Sequence, residues 1–398
     1  MKNFVICLSL CVTLFPVTTL AIDLLANGRL SLRGFGTVGV SCYSSDTLDF
    51  LREERPDGPG KNRRCDHQID SNVGLQVDAN LTDSVQITGQ ATSYHRADDT
   101  YTPELTLANL RWVINDKLNL RLGRMQLPIY FSSEYRNVLY AQTWVRPPTE
   151  VYNLATAYSI DGLELNYNQM LSDWELRVST GVAESRFDTT WSDAPHNTYE
   201  AKVHLGYLDL RLSKQSWQFK ASLLGGKLSW HQPQVDYLLS LLNPQLASDL
   251  MMIDKRLIIA SGGVRYENND WLIQTEYLYR TIDSFYRDQH GIYLLTGHRF
   301  GKWMPYSIFS KRWSESQGKE NHATLLDAAL AQAIVNGTYD DHNSVALGLS
   351  RQLGEKAIIK YQANIVMPDS GFLQSTTIDT LRGFNSEVQS KILGLKEG

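Results

Sequence analysis

The strongest constraint on this chain is a period of two. Val73, Leu75, Val77, Ala79 and Leu81 alternate with Asn72, Gly74, Gln76, Asp78 and Asn80. An extended segment with that pattern has one apolar and one polar face, which a helix of 3.6 residues per turn does not reproduce. The alternation returns along nearly the whole chain. It predicts fifteen strands, near 29–40, 71–81, 84–94, 105–114, 118–124, 156–168, 174–184, 199–212, 216–230, 256–267, 271–283, 290–300, 303–313, 343–353 and 356–366, with a sixteenth near 386–395. The connections alternate as well. Long ones at 41–70, 95–104 and 125–155 are separated by short ones at Thr82-Asp83, Asn115-Asp116-Lys117 and Leu171-Ser172-Asp173. Strands joined in this way run up and down, with short turns at one end of the sheet and long loops at the other.

Sixteen strands enclose a space too wide for side chains to fill. The apolar faces are therefore expected to point outward and the polar faces to line a lumen. Four tryptophans, Trp174, Trp217, Trp271 and Trp303, each follow a short turn and so stand at one height. Rings at a common height read as an interfacial belt where a membrane meets water. The fold class expected is all-β, a transmembrane antiparallel up-and-down β-barrel. The 398 residues are 42% hydrophobic and 20% charged with a formal net charge of −5, which excludes a disordered chain and a polybasic nucleic-acid binder. Residues 3–22 form the one uncharged stretch long enough to cross a bilayer as a helix, so a multi-pass helical membrane protein is excluded too.

That stretch reads as a leader. Lys2 supplies the positive start, Phe4 to Pro16 the apolar region and Thr19-Leu20-Ala21 a small-residue cleavage site. Residues 1–21 are expected to be removed, leaving one domain at 22–398. A lipoprotein would use Cys11, but it lies midway through the apolar region. Cys7 and Cys11 leave with the leader, and Cys42 and Cys65 flank a stretch rich in Pro, Gly and Arg. Two cysteines in an oxidising compartment most simply form a loop-closing disulfide, with two free thiols as the alternative. With His67 alone beside them they are too few for a metal site.

Motifs that carry chemistry are weak here. Gly34, Gly36 and Gly39 have the spacing of a dinucleotide-binding loop, but a polar loop and no helix follows them. Asp340-Asp341-His342-Asn343 reads as a solvated turn before a strand rather than a cation site. No Gly-x-Ser-x-Gly elbow and no paired-histidine metal spacing occurs. Neither a cofactor nor an enzymatic activity is expected. Two apolar helical patches, Val235 to Met252 and Ala323 to Val335, fall inside long loops.

The run Leu30 to Thr37, the segments Leu120 to Arg124, Val145 to Tyr152 and Ile160 to Tyr167, and the hairpin Gly297 to Tyr306 resemble corresponding parts of the sixteen-stranded, typically trimeric porins of Gram-negative outer membranes. The resemblance spans about residues 29 to 367. It implies a cell outer-membrane location, contact with lipid and lipopolysaccharide, a homotrimer, and a third external loop folded into the lumen. Porins of that family usually end in an aromatic residue, whereas this chain ends Leu395-Lys396-Glu397-Gly398.

Parity assigns the lumen face nine cations, Arg33, Arg111, Arg121, Arg177, Arg211, Lys220, Arg265, Arg280 and Lys360, against Asp78, Glu164, Glu175, Asp209 and Glu276. The wall is thus basic in an acidic protein. In the loop at 125–155, Tyr130, Phe131, Tyr135, Tyr140 and Trp144 are expected to bury against the wall, and Glu134, Arg136, Arg146 and Glu150 to form the constriction, with the two glutamates facing Arg111, Arg121 and Arg177. The function expected is a water-filled channel for small hydrophilic solutes and ions with mild anion preference. The alternatives are an adhesin or receptor acting through its loops, and an outer-membrane lipid hydrolase.

Overall fold

The computed structural model describes residues 5–12, 22–23, 29–44, 64–96, 98, 100–155, 157–190, 198–231, 233–315, 340–354 and 357–368. Its strands are β1 (Val5–Val12), β2 (Ile22–Asp23), β3 (Leu30–Tyr43), β4 (Cys65–Asp66), β5 (Asn72–Asn80), β6 (Val85–Tyr94), β7 (Glu104–Val113), β8 (Leu118–Gln126) and β9 (Ser159–Leu171). They continue with β10 (Trp174–Thr190), β11 (Thr198–Lys214), β12 (Trp217–Trp230), β13 (Lys255–Glu267), β14 (Trp271–Ile282), β15 (Gln289–His298), β16 (Trp303–Ser314), β17 (His342–Leu353) and β18 (Ala357–Pro368). Each long strand pairs antiparallel with the next, from β3 through β5 to β18, which is the up-and-down order expected.

All fifteen predicted strands are present, and most ends agree within three residues. β10 runs well beyond its predicted end at 184 and stays paired with β11 out to Thr190 opposite Thr198. Their outer ends, Glu184 to Thr190 and Thr198 to Lys202, are largely polar, so the hydrophobic alternation fades there while the backbone ladder continues. Left-handed residues make the tight turns at the short-turn end, with φ 58° at Ser172, 48° at Gln215, 60° at Gly301 and 74° at Gly354. Positive φ lets a short connection match the twist of the strands it joins.

The segment read as the apolar core of a leader is a strand in the full-length chain. β1 pairs with β18 along one edge, Val5 opposite Val366, and with β3 along the other, Cys7 opposite Tyr43. The succession of pairings thereby returns to its starting strand, with β1 in the sixteenth position. An apolar, extended run satisfies two sheet edges whose backbone groups would otherwise stay unpaired. The strand expected near 386–395 lies outside the described residues, as does the helical patch at 323–335.

The outer face is apolar. Val73, Leu75 and Val77 on β5, Leu208 and Leu210 on β11, and Ile292 and Leu294 on β15 are all exposed, while their neighbours of opposite parity point inward. Trp217, Trp271 and Trp303 are exposed as well, and Trp174 is partly so. Each tryptophan opens its strand at the short-turn end. At the other end, the predicted helical patch forms α2 (Pro233–Ser240) and α3 (Pro244–Leu250), and Asn243 caps α3 by accepting from the Gln245 amide. Gly34, Gly36 and Gly39 lie inside β3, where they form part of a ladder and open no helix.

Candidate pore constriction

The loop between β8 and β9 carries two short helical turns, Ser133–Tyr135 and Leu139–Ala141, and α1 (Thr149–Tyr152). It lies inside the barrel, and the wall holds it residue by residue. Lys220 of β12 donates to the Pro128 carbonyl at 2.8 Å and Ser261 of β13 to that of Ile129 at 2.8 Å. Glu276 of β14 accepts from the Phe131 amide at 2.6 Å and from the hydroxyls of Tyr152 and Tyr293. Lys360 of β18 donates to the carbonyls of Leu139, Gln142 and Trp144, and Gln362 accepts from the Val145 amide at 2.9 Å. A loop placed inside a barrel buries backbone polar groups, and these wall side chains satisfy them. Tyr130 stacks on Tyr152 at 4.1 Å, and Trp144 meets Tyr152 and Tyr293 edge-on. Tyr130, Phe131 and Trp144 are buried as expected, whereas Tyr140 is exposed and the Tyr135 hydroxyl accepts from Arg265 at 3.2 Å.

Of the four charged loop residues expected at the constriction, Glu134 alone lines the open lumen. The other three are anchors. Arg146 is 1% exposed and clasps Asp70 through two hydrogen bonds of 2.6 Å. Arg136 is buried with its guanidinium 3.3 Å above the Tyr158 ring, a cation–π contact. Glu150 does not face Arg111, Arg121 or Arg177; it is 2% exposed against β16 and β17. There it accepts from Ser310 at 2.8 Å and pairs with His342 at 3.3 Å, while its backbone carbonyl accepts from Arg312. Burial pushes its carboxyl up, but hydrogen bonding to His342 and the charge of that residue outweigh this and leave it at about 2. Asp340 is likewise held below the usual carboxylate range, because Arg312 and His342 outweigh the effect of its burial. The segment at 340–343 is therefore not a solvated turn: Asp341 and His342 are buried, His342 holds Glu150 of the loop, and Asp340 pairs with Arg312 and His342. A Cβ on Gly291 would overlap the Glu150 carbonyl oxygen, so the loop rests directly on the wall's backbone at that point.

The open part of the lumen is a cavity of about 300 Å³ between the loop and the wall of β6 to β11. Four arginines, Arg111, Arg121, Arg177 and Arg211, line it together with Glu134, Glu164 and Asp209. Asn109, Asn119, Asn166 and Asn168 fill much of the remaining wall. Arg121 pairs with Glu164 at 2.7 Å, and Asp209 pairs with Lys220. The other five predicted wall cations stand elsewhere: Lys220 and Lys360 hold the loop, and Arg280 donates to the Leu154 carbonyl at 3.3 Å. Arg33 sits 3.8 Å from Asp78 on β3 and β5, and Arg265 pairs with Glu267 and Tyr135. Cys42 and Cys65 are joined as a disulfide with Cα atoms 4.0 Å apart. It ties β3 to the turn that carries Asp70.

Sequence reasoning missed Asp70, Arg312, His342 and Gln362 as loop anchors. Parity along β16 puts Arg312 on the same face as Ser310, a signal that was available. Nothing in the sequence links Asp70 to Arg146.

Compared with models of known protein families, the chain matches none, and no curated protein matches it. Among solved structures it is similar to the outer-membrane channel DcaP of Acinetobacter baumannii, with a TM-score of 0.47 and 9% identity over 92% of this chain and 96% of that one. It is also similar to Salmonella typhi OmpF in complex with daunomycin, with a TM-score of 0.46 and 8% identity over 92% and 98%. A third likeness is to the anion-selective porin of Comamonas acidovorans, with a TM-score of 0.35 and 9% identity over 93% and 99%.

Proposed function

We propose that the mature chain is an outer-membrane porin, a water-filled path for passive diffusion of small hydrophilic solutes and ions with mild anion preference. What carries the reading is one arrangement: a loop bound inside the barrel that leaves open a polar cavity with four arginines on its wall. The apolar outer face and the four tryptophans fit a barrel surrounded by lipid and lipopolysaccharide. Export through removal of residues 1–21 and assembly as a homotrimer belong to the same reading, in which β1 leaves with the leader and the segment near 386–395 takes its place between β18 and β3. Opposed charges, Glu134 on the loop and arginines on the wall, set up a transverse field that orders water and disfavours apolar solutes. The cation excess raises the local concentration of anions, an effect strongest at low salt, where the screening length is about 30 Å at 0.01 M against about 10 Å at 0.1 M.

Reconstitution in planar bilayers tests this. The protein should give discrete conductance steps and a reversal potential on the anion side, and Arg121→Glu should move that potential toward cations. Absence of conductance from correctly folded protein would favour an adhesin or receptor working through its external loops.

A further inference from the structure

Arg177 of β10 and Arg211 of β11 stand directly opposite each other, and both line the open cavity. Lys220 is directly opposite Arg211 on its other side. Like charges in opposed cross-strand positions destabilise a sheet, so this row raises the local free energy unless an anion meets it. The nearby carboxylates are engaged elsewhere. Asp209 accepts from Lys220 and from the Ser222 hydroxyl at 2.6 Å, and Glu164 accepts from Arg121 and from the Tyr207 hydroxyl at 2.7 Å. Glu175 comes within 3.8 Å of Arg177, but both side chains are at least 40% exposed, where such a pair contributes little. Among the described residues Arg211 makes no ion pair, and its buried Nε has no hydrogen-bond acceptor. The Asn168 side-chain oxygen accepts from Arg177 Nε at 3.1 Å, which orients that guanidinium and leaves its terminal nitrogens for another acceptor.

We propose that the Arg177–Arg211 pair is a binding station for a tetrahedral divalent oxyanion, either inorganic phosphate or the phosphoryl group of a small ester. The inference rests on the channel reading above and adds a ligand class to it. Two guanidiniums offer planar forks of N–H donors, and each fork matches two oxygens of a phosphate. A halide has one acceptor atom and cannot pair oxygens with both forks, and a monocarboxylate fills one. The cavity, at about 300 Å³, is at the small end of ligand-sized sites. Glu134 borders the same space from the loop and repels a bound anion. Conduction needs a site that an ion can leave as well as enter.

The test is chloride current through single channels at fixed potassium chloride and neutral pH, titrated with inorganic phosphate in one arm and glycerol 3-phosphate in the other. The wild-type current should fall saturably. The half-blocking concentration should rise about tenfold in Arg177→Gln and in Arg211→Gln, the loss of one charge-assisted contact. Asn168→Ala, which removes the acceptor that orients Arg177, should raise it by a smaller factor. Lys302→Gln, on an exposed short turn, should match wild type. Block by both compounds identifies the phosphoryl group as the ligand, and block by phosphate alone identifies the free ion. A non-saturating decline in wild type, or saturation that is equal in all variants, overturns the station and leaves the channel standing. Folded protein without chloride current overturns the channel reading itself. If neither arginine variant folds, the wild-type titration alone decides, since a linear curve excludes the site.

Discussion

From β12 to β18 the charged side chains of the wall grip the loop, whereas from β7 to β11 they border open space. Lys220, Lys360 and Arg312 each donate to loop carbonyls, and Glu276 accepts from a loop amide. Arg111, Arg177 and Arg211 touch no loop atom among the described hydrogen bonds and line the cavity instead. Both regions are strands of the same sheet with the same parity, so the chemistry of the side chains does not distinguish them. What distinguishes them is where the loop lies. A charge facing the loop replaces lost hydration with protein partners and contributes to stability. A charge facing the cavity stays hydrated and is free to meet solutes.

Removing an anchor should have the largest effect. Asp70→Ala leaves Arg146 buried without its carboxylate, which should cost about 3–5 kcal/mol. Denaturation in detergent would measure the loss, and single-channel traces should turn larger and noisier as the loop detaches. Unchanged stability would mean that the loop is held without this pair. Next comes the disulfide, whose cysteines are 23 residues apart. Replacing both with serine should lower stability by up to about 3 kcal/mol in the chain-entropy picture. Reversible unfolding of the two forms would give the difference directly.

Acid should act most strongly on the clamped region. Glu150 has a folded value of about 2, below the usual glutamate value of about 4.3. Its contribution is therefore complete above about pH 4.3 and is lost as pH falls toward about 2, an effect of about 2–3 kcal/mol. Conductance should hold steady from neutral pH to about 4.5 and change below it. His342→Gln should move that onset upward, and an onset identical in the two proteins would contradict the clamp. On the open wall the smallest stability change is expected. Arg111→Gln or Arg211→Gln should shift stability by no more than about 0.5 kcal/mol, yet move the reversal potential toward cations. A stability loss like that of Asp70→Ala would erase the distinction between the two regions.

The strands and the open wall were legible because both depend on parity. A period-two pattern fixes which side chains share a face, so Arg111, Arg121, Arg177 and Arg211 emerge together before any contact is known. The loop has no period. Whether Glu134 or Glu150 meets water depends on how the chain coils inside the barrel, and on partners such as Asp70 and His342 that lie 76 and 192 positions away from Arg146 and Glu150. Both glutamates carry the same charge in the same loop, and the sequence around them does not separate a lumen-facing group from a buried one. Val5–Val12 shows a different limit, since an apolar β-prone run serves equally as the core of a leader and as a strand between two open edges.

The tryptophans at the short-turn end also act as a ruler. Arg177 lies three residues beyond Trp174, and Arg211 three residues before Lys214, which faces Trp217. At about 3.4 Å per residue this is about 10 Å along the strand, or roughly 8 Å in height for strands tilted by about 40° across an apolar band about 25 Å tall. In a bilayer, the two arginines then sit about one third of the way up from the tryptophan rim. A dianion arriving from that rim crosses about a third of the applied voltage before it reaches them, and one arriving from the loop side crosses about two thirds. On the channel reading proposed above, the pore therefore has a built-in polarity. Occupancy from the short-turn side should change about tenfold per 100 mV, occupancy from the other side should change more steeply, and the current–voltage curve in phosphate should bend in one direction only.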